Sequence, residues 1–128
     1  MRRSKAFADL FLGRSLKKPQ RQHRAATEDN PAFQEIWHVI GAIPRGCVST
    51  YGAVAAAAGL PGRARLTGRA LRLAPKGLHL PWHRVVGAGG RIVFPPTSLQ
   101  HREQTRRLKA EKVIVKNGRV SREFIRLS

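Results

Sequence analysis

The segment with the most chemical content is Pro81-Trp82-His83-Arg84-Val85-Val86-Gly87. A tryptophan beside a short apolar run is core in most settings. The polar His83-Arg84 pair is out of place in a buried strand and suits the rim of a pocket. Nucleophilic chemistry would call for a thiolate, and Cys47 is the only thiol in the chain. Cys47 itself reads as a small, partly buried hydrophobe. Between Glu35 and Glu103 no carboxylate occurs across 67 residues. That gap excludes paired carboxylates for acid/base work, and a carboxylate-bound magnesium site, from the middle of the chain. The histidines (His23, His38, His79, His83 and His101) form no helical ligand pair and have no flanking acid. With one cysteine there is also no multi-cysteine zinc site. Neither a metal nor a cofactor is expected.

The same gap holds nine basic residues, among them Arg45, Arg63, Arg65, Arg69, Arg72 and Arg91. Over 128 residues Lys and Arg number 25 and Asp and Glu 7, a formal charge of +18. An excess on this scale, left free of repelling acids over half the chain, implies a polyanionic partner, most often nucleic acid. A ribosomal or chaperone-bound surface is the blander reading. The 41% hydrophobic content suffices for a small core. No apolar run approaches membrane-spanning length, and the start of the chain lacks the apolar core of a secretory signal. A soluble, cytoplasmic and nucleoid-associated monomer is the expectation.

The elements that position the central segment follow from local signals. Residues 1–29 carry eight Lys/Arg and read as a basic, disordered extension, with Phe7, Leu10 and Phe11 able to form one apolar helical turn. The folded part, 30–128, begins at Asn30-Pro31, a cap followed by a favoured first helical residue. Phe33, Ile36, Trp37 and Ile40 then fall on one helical face, and Gly41 and Pro44 end it. Ser49 or Thr50 caps a second helix, Tyr51 to Ala58, closed by Gly59. After Leu60-Pro61-Gly62 a third helix runs to about Leu73, completing a helix-turn-helix. Leu66, Ala70 and Leu73 should point inward, with Arg65, Arg69 and Arg72 as a cationic stripe about 100° around the axis and Lys76 continuing it. Short strands are expected at 78–80, 85–86 and 92–93, the latter two joined by the turn Gly87 to Gly90. A fourth helix should run from a Ser98 cap to Glu111. The closing hairpin pairs 113–115 with 120–125 through Asn117-Gly118. The fold class is α+β: a helical, winged-helix-like DNA-binding core with a small β element.

These motifs together resemble the O6-alkylguanine-DNA alkyltransferase family. The family's active-site signature reads Pro-Cys-His-Arg-Val, and here Trp82 stands at the cysteine's place. That replacement marks the alkyltransferase-like proteins. Ile43 to Gly52 and Gly59 to Ala70 look like the family's helix-turn-helix at its spacing from that signature, and the likeness spans roughly 30–115. The resemblance implies that Tyr51 rotates the target nucleotide outward and that Arg65 fills the gap it leaves. Ala64, Thr67, Gly68 and Arg69 would belong to the face laid in the minor groove. Trp82, with His83, Arg84, Val85, Phe94 and Pro95, would form the lesion pocket. His83 and Glu111 match the pair that activates the cysteine in true transferases, which leaves them a structural role here. Ala74 departs from the family's asparagine, Phe94-Pro95-Pro96 replaces the loop over the alkyl group, and Arg91 is out of register with a base-contacting arginine.

The implied function is a non-enzymatic sensor that flips O6-alkylguanine out of double-stranded DNA and marks it for nucleotide excision repair proteins. A general DNA-binding or architectural protein without lesion selectivity is the competing reading. A sequence-specific regulator is disfavoured, because the third helix carries no Asn/Gln reading set.

Overall fold

A computed structural model describes residues 29–127. The expectations for the basic extension therefore lie outside the described residues, except at Asp29. Helix α1 spans Pro31–Gly41. Its cap forms as anticipated: the Asn30 side-chain oxygen accepts from the N–H groups of Ala32 and Phe33 at 2.9 and 3.3 Å. Strand β1 (Ser49–Thr50) leads directly into α2 (Tyr51–Ala57), and Thr50 Oγ1 caps that helix by accepting from Ala53 N. Gly59, at φ +84°, supplies the left-handed turn after it. Helix α3 spans Ala64–Arg72, and strand β2 is Val85–Val86. Helix α4 spans Leu99–Ala110, with Ser98 Oγ accepting from His101 N.

The sheet β1–β2 is parallel, pairing Ser49 with Val85 and Thr50 with Val86. Successive strand residues face opposite ways. Val85 accordingly joins the helical cluster of Phe33, Ile36, Trp37, Ile40, Val54 and Ala70. Its neighbour Val86 joins a second cluster with Val48, Leu108, Val113 and Val120. This two-residue ladder is thus the partition between two cores. Trp37 is core, as its periodicity indicates, and its indole N–H donates to Ala70 O at 2.7 Å. The closing hairpin pairs β3 (Val115–Lys116) with β4 (Arg119–Val120). Both turn residues, Asn117 and Gly118, have positive φ, which matches the right-handed twist of the flanking strands.

Several local expectations give way. Residues 78–80 are not a strand: Lys76–Leu78 is a 3-10 turn and His79 is left-handed, between Pro75 and Pro81, which lack N–H groups. Residues 92–93 extend no ladder either. Arg91 alone bridges to Arg119, and the prolines after Phe94 stop further pairing. The last expected strand is only β4. A 3-10 turn at Arg122–Phe124 follows, and Ile125 then bridges in parallel to Val48. Because α3 ends at Arg72, Leu73 is left 41% exposed and Lys76 falls off the arginine stripe.

Candidate nucleic-acid interface

Four elements and one loop enclose a cavity of about 560 Å3. Helix α3 contributes Ala64, Arg65, Gly68, Leu71 and Arg72, one face at helical spacing. Helix α2 contributes its first residue, Tyr51. Trp82 comes from the 3-10 turn Trp82–Arg84, Val93 and Phe94 from the loop beyond β2, and Gln100 from the first turn of α4. The walls are largely apolar and hold no carboxylate. Arg65, Arg69 and Arg72 are exposed on α3, and none is in an ion pair among the described residues. A cationic ridge therefore borders an apolar hollow, an arrangement suited to holding a phosphate backbone beside a flat, uncharged ring. At the mouth, Ala64 and Gly68 are small, and a Cβ built on Gly68 would meet nothing within 4 Å.

The Tyr51 side is held by main chain. Thr67 Oγ1 donates to Tyr51 O at 3.0 Å and locks α2 to α3. Burial raises the Tyr51 pKa above its usual 10.0, so the phenol stays neutral. On the Trp82 side the indole is gripped from several directions. Phe94 meets it edge-on at 6.1 Å, and the Arg107 guanidinium lies 5.6 Å from the ring centre. Glu103 anchors Arg107 from the preceding helical turn, its carboxylate accepting from Nε at 2.6 Å.

Behind Trp82 sits a buried polar clamp. His83 Nε2 lies 2.7 Å from Glu111 Oε2. Arg84 donates to both Glu111 oxygens, and Gly46 N–H donates to Oε1 at 2.9 Å. Arg84 Nη1 also reaches Ile43 O at 2.8 Å. Burial alone would raise the Glu111 pKa, but the hydrogen bonds from Arg84, Gly46 and His83 outweigh it and bring it down to about 2. Burial lowers the His83 pKa, so the neutral ring donates through Nε2. Gln104, fully buried on α4, donates to His83 O and Val85 O and fixes the backbone on either side of Arg84.

A family model for the DNA-binding domain of 6-O-methylguanine DNA methyltransferase matches residues 31–113. The chain belongs to this family. The methyltransferase-family match covers all the pocket walls and the whole of the Glu111 clamp. A DNA base-flipping protein of Escherichia coli is 42% identical over 106 residues, covering 83% of this chain and 79% of that protein. Alkyltransferase-like protein 1 of Schizosaccharomyces pombe is 36% identical over 81 residues, 63% of this chain and 75% of its own length. The crystal structure of S. pombe Atl1 in complex with damaged DNA containing O6-carboxymethylguanine matches at TM-score 0.66 and 30% identity, over 76% of this chain and 95% of that one.

Within the family domain, the residues singled out in the sequence separate into three groups. Tyr51, Ala64, Arg65, Gly68, Trp82 and Phe94 come together around one cavity. Arg69 stands on the exposed arginine ridge outside it. The remainder do not line this cavity. Thr67 is fully buried, and its hydroxyl donates to Tyr51 O, inside the fold and away from the surface. His83 and Arg84 turn back onto Glu111, and Val85 is fully buried in the helical core. Pro95 lines a neighbouring groove with Arg91. Cys47 packs against the helical core and lines no part of the cavity wall. Arg72 was expected on the cationic stripe but not at the cavity, and Val93 begins the loop after Ile92 that was expected to line it; Leu71, Gln100 and Arg107 were not foreseen as site residues. Helical spacing from Ala64 and Gly68 identifies Leu71 and Arg72, whereas no local signal marks Gln100 or Arg107.

Proposed function

We propose that this chain is a non-enzymatic sensor of O6-alkylguanine in duplex DNA. The observation that carries the reading is the make-up of the cavity. An indole, Trp82, occupies the wall next to the His83–Glu111 pair, at the place that the motif resemblance gives to the transferases' cysteine. The only thiol, Cys47, packs into the core and is absent from the wall. An indole cannot displace an alkyl group from a guanine oxygen, whereas a thiolate can. What remains is binding. The arginine ridge neutralises backbone phosphates, Tyr51 crowds the target nucleotide, and Arg65 enters the space the base leaves. The extruded base then rests against Trp82 and Phe94.

Extrusion costs a few kcal/mol and less for a base that pairs poorly, which supplies part of the selectivity. Apolar contact between the alkyl group and the walls adds to it. The relatives named for base flipping, and the relative crystallised with alkylated DNA, support this reading. Hand-off of the marked site to nucleotide excision repair, a monomeric state and a nucleoid location belong to the same proposal. Among the described residues no helix is long and apolar enough to cross a membrane.

The test is a titration at one salt concentration of two duplexes that differ only in O6-methylguanine for guanine, followed by mass spectrometry of the protein. Tighter lesion binding, lost in Trp82→Ala, with no mass added, is the expected result. Equal binding would leave a general DNA-binding protein, which the arginine ridge alone would serve. A methylated Cys47 would make the chain an enzyme.

A further inference from the structure

Arg91 forms an isolated antiparallel bridge to Arg119, the first residue of β4, so the two are cross-strand partners. Side chains directly opposite in such a pair share one face, and like charges there repel. Both are exposed, and neither has an acidic partner among the described residues. Nor is Arg119 free to swing away. Its Nη1 donates to Gly89 O at 3.1 Å, and a Cβ at position 89 would come within 2.9 Å of that nitrogen. A guanidinium has five N–H donors, and this contact uses one. The bridge therefore sets two positive residues opposite each other with most of their donors unspent.

Their location indicates the anion. The pair lines a groove of about 690 Å3 whose walls include Val93 and Phe94, and both of these residues also line the base-sized cavity. Beyond Arg119 a further hollow adds Lys116 and Arg122. A continuous basic track thus leads away from the cavity. Arg91 is three residues from Phe94, so their backbones are at most about 10 Å apart. Phosphates along one strand advance about 3.4 Å per nucleotide. The pair lies within about three nucleotides of whatever base Phe94 covers.

We propose that Arg91 and Arg119 form a second DNA-backbone site, a two-guanidinium clamp on a phosphodiester flanking the flipped nucleotide. The clamp rests on the DNA-binding part of the proposed function and extends the footprint from the helix-turn-helix onto the closing hairpin. A phosphate seated between the two guanidinium groups converts their mutual repulsion into paired charge-assisted hydrogen bonds. Because it touches only backbone, it adds affinity without reading the base.

The test compares the full chain with Arg91→Ala and with Arg91→Ala/Arg119→Ala on duplexes with and without O6-methylguanine, across a salt series. Circular dichroism checks the fold, and the single variant, which removes no internal side-chain bond, guards against misfolding of the double. The double variant is expected to weaken both duplexes several-fold and to flatten the slope of log affinity against log salt by about 0.9 per lost contact. The ratio between lesion and normal DNA should stay constant. Two truncated duplexes, each ending just beyond the target base on one side, locate the contact: one of them should bind variant and wild type alike. An unchanged salt slope on full-length duplexes overturns the clamp, as it would if the pair served an acidic protein surface instead. Equal binding of lesion and normal DNA by the wild type would defeat the sensor reading yet leave this test readable on unmodified DNA.

Discussion

The Thr67 hydroxyl donates to the carbonyl oxygen of Tyr51 at 3.0 Å, joining the two helices of the helix-turn-helix through a fully buried threonine. The bond runs from the middle of α3 to the first residue of α2, so it fixes where Tyr51 stands relative to the arginine ridge. Thr67→Val keeps the shape and removes the donor. A loss of about 1 kcal/mol in unfolding free energy is expected from urea denaturation. An unchanged midpoint would mean that packing alone sets the angle between α2 and α3.

Gly68 should separate stability from binding. It sits inside α3, where glycine costs roughly 0.5–1 kcal/mol relative to alanine, and an added Cβ meets nothing within 4 Å. Gly68→Ala should therefore raise the melting temperature. The same methyl group projects into the cavity mouth and should weaken DNA binding. A variant both more stable and equally tight on DNA would show that this face makes no close approach to the duplex.

Arg65 and Arg69 share the ridge, but only Arg65 lines the cavity. Arg69→Ala should lower affinity for lesion and normal duplexes by the same factor and reduce the salt slope by about 1. Arg65→Ala should cost more on the lesion duplex, where the gap left by the extruded base goes unfilled. Identical effects of the two substitutions would remove Arg65 from base flipping.

Acid should loosen the clamp behind Trp82. The folded-state pKa of Glu111 lies at about 2, against an ordinary value of 4.5. A depressed carboxyl pKa contributes stability that is complete above about 4.5 and is lost as pH falls toward 2. His83 acts in the same sense at higher pH: its lowered pKa makes folding prefer the neutral ring, and that preference turns into a cost below about 6.5. Thermal melts across this range should show stability falling with pH in the wild type. In Glu111→Gln the profile between pH 4.5 and 2 should be flatter and the whole curve lower, because Arg84 loses its counter-charge.

Much of the architecture was legible in the sequence because its signals are local. Asn30-Pro31, Thr50 and Ser98 each cap a helix within a few residues of themselves, and Asn117-Gly118 dictates a tight hairpin wherever it lies. The grouping of Tyr51, Arg65 and Trp82 rested on motif resemblance, since nothing local relates residues so far apart in the chain. Where local reading failed, a non-local partner decided. Thr67 looked like a surface residue of a cationic helix until the Tyr51 carbonyl claimed it. Arg84 looked like a pocket residue until Glu111 and Ile43 turned it away. Arg107 carried no sign of meeting Trp82, because a helix face shows its period and not its neighbour.

The sequence by itself determined the helix boundaries within a residue or so, the turn of the hairpin, the cationic stripe of α3 and the surplus of charge that implies a polyanion. Each follows from backbone chemistry and side-chain periodicity over a few residues. The tertiary structure alone decided which of the flagged side chains face the cavity, which turn inward to the Glu111 clamp, and that Arg91 and Arg119 stand opposite each other. Those outcomes depend on how separate elements dock, and docking is set by burial and hydrogen-bond satisfaction across the whole core rather than by any stretch of chain.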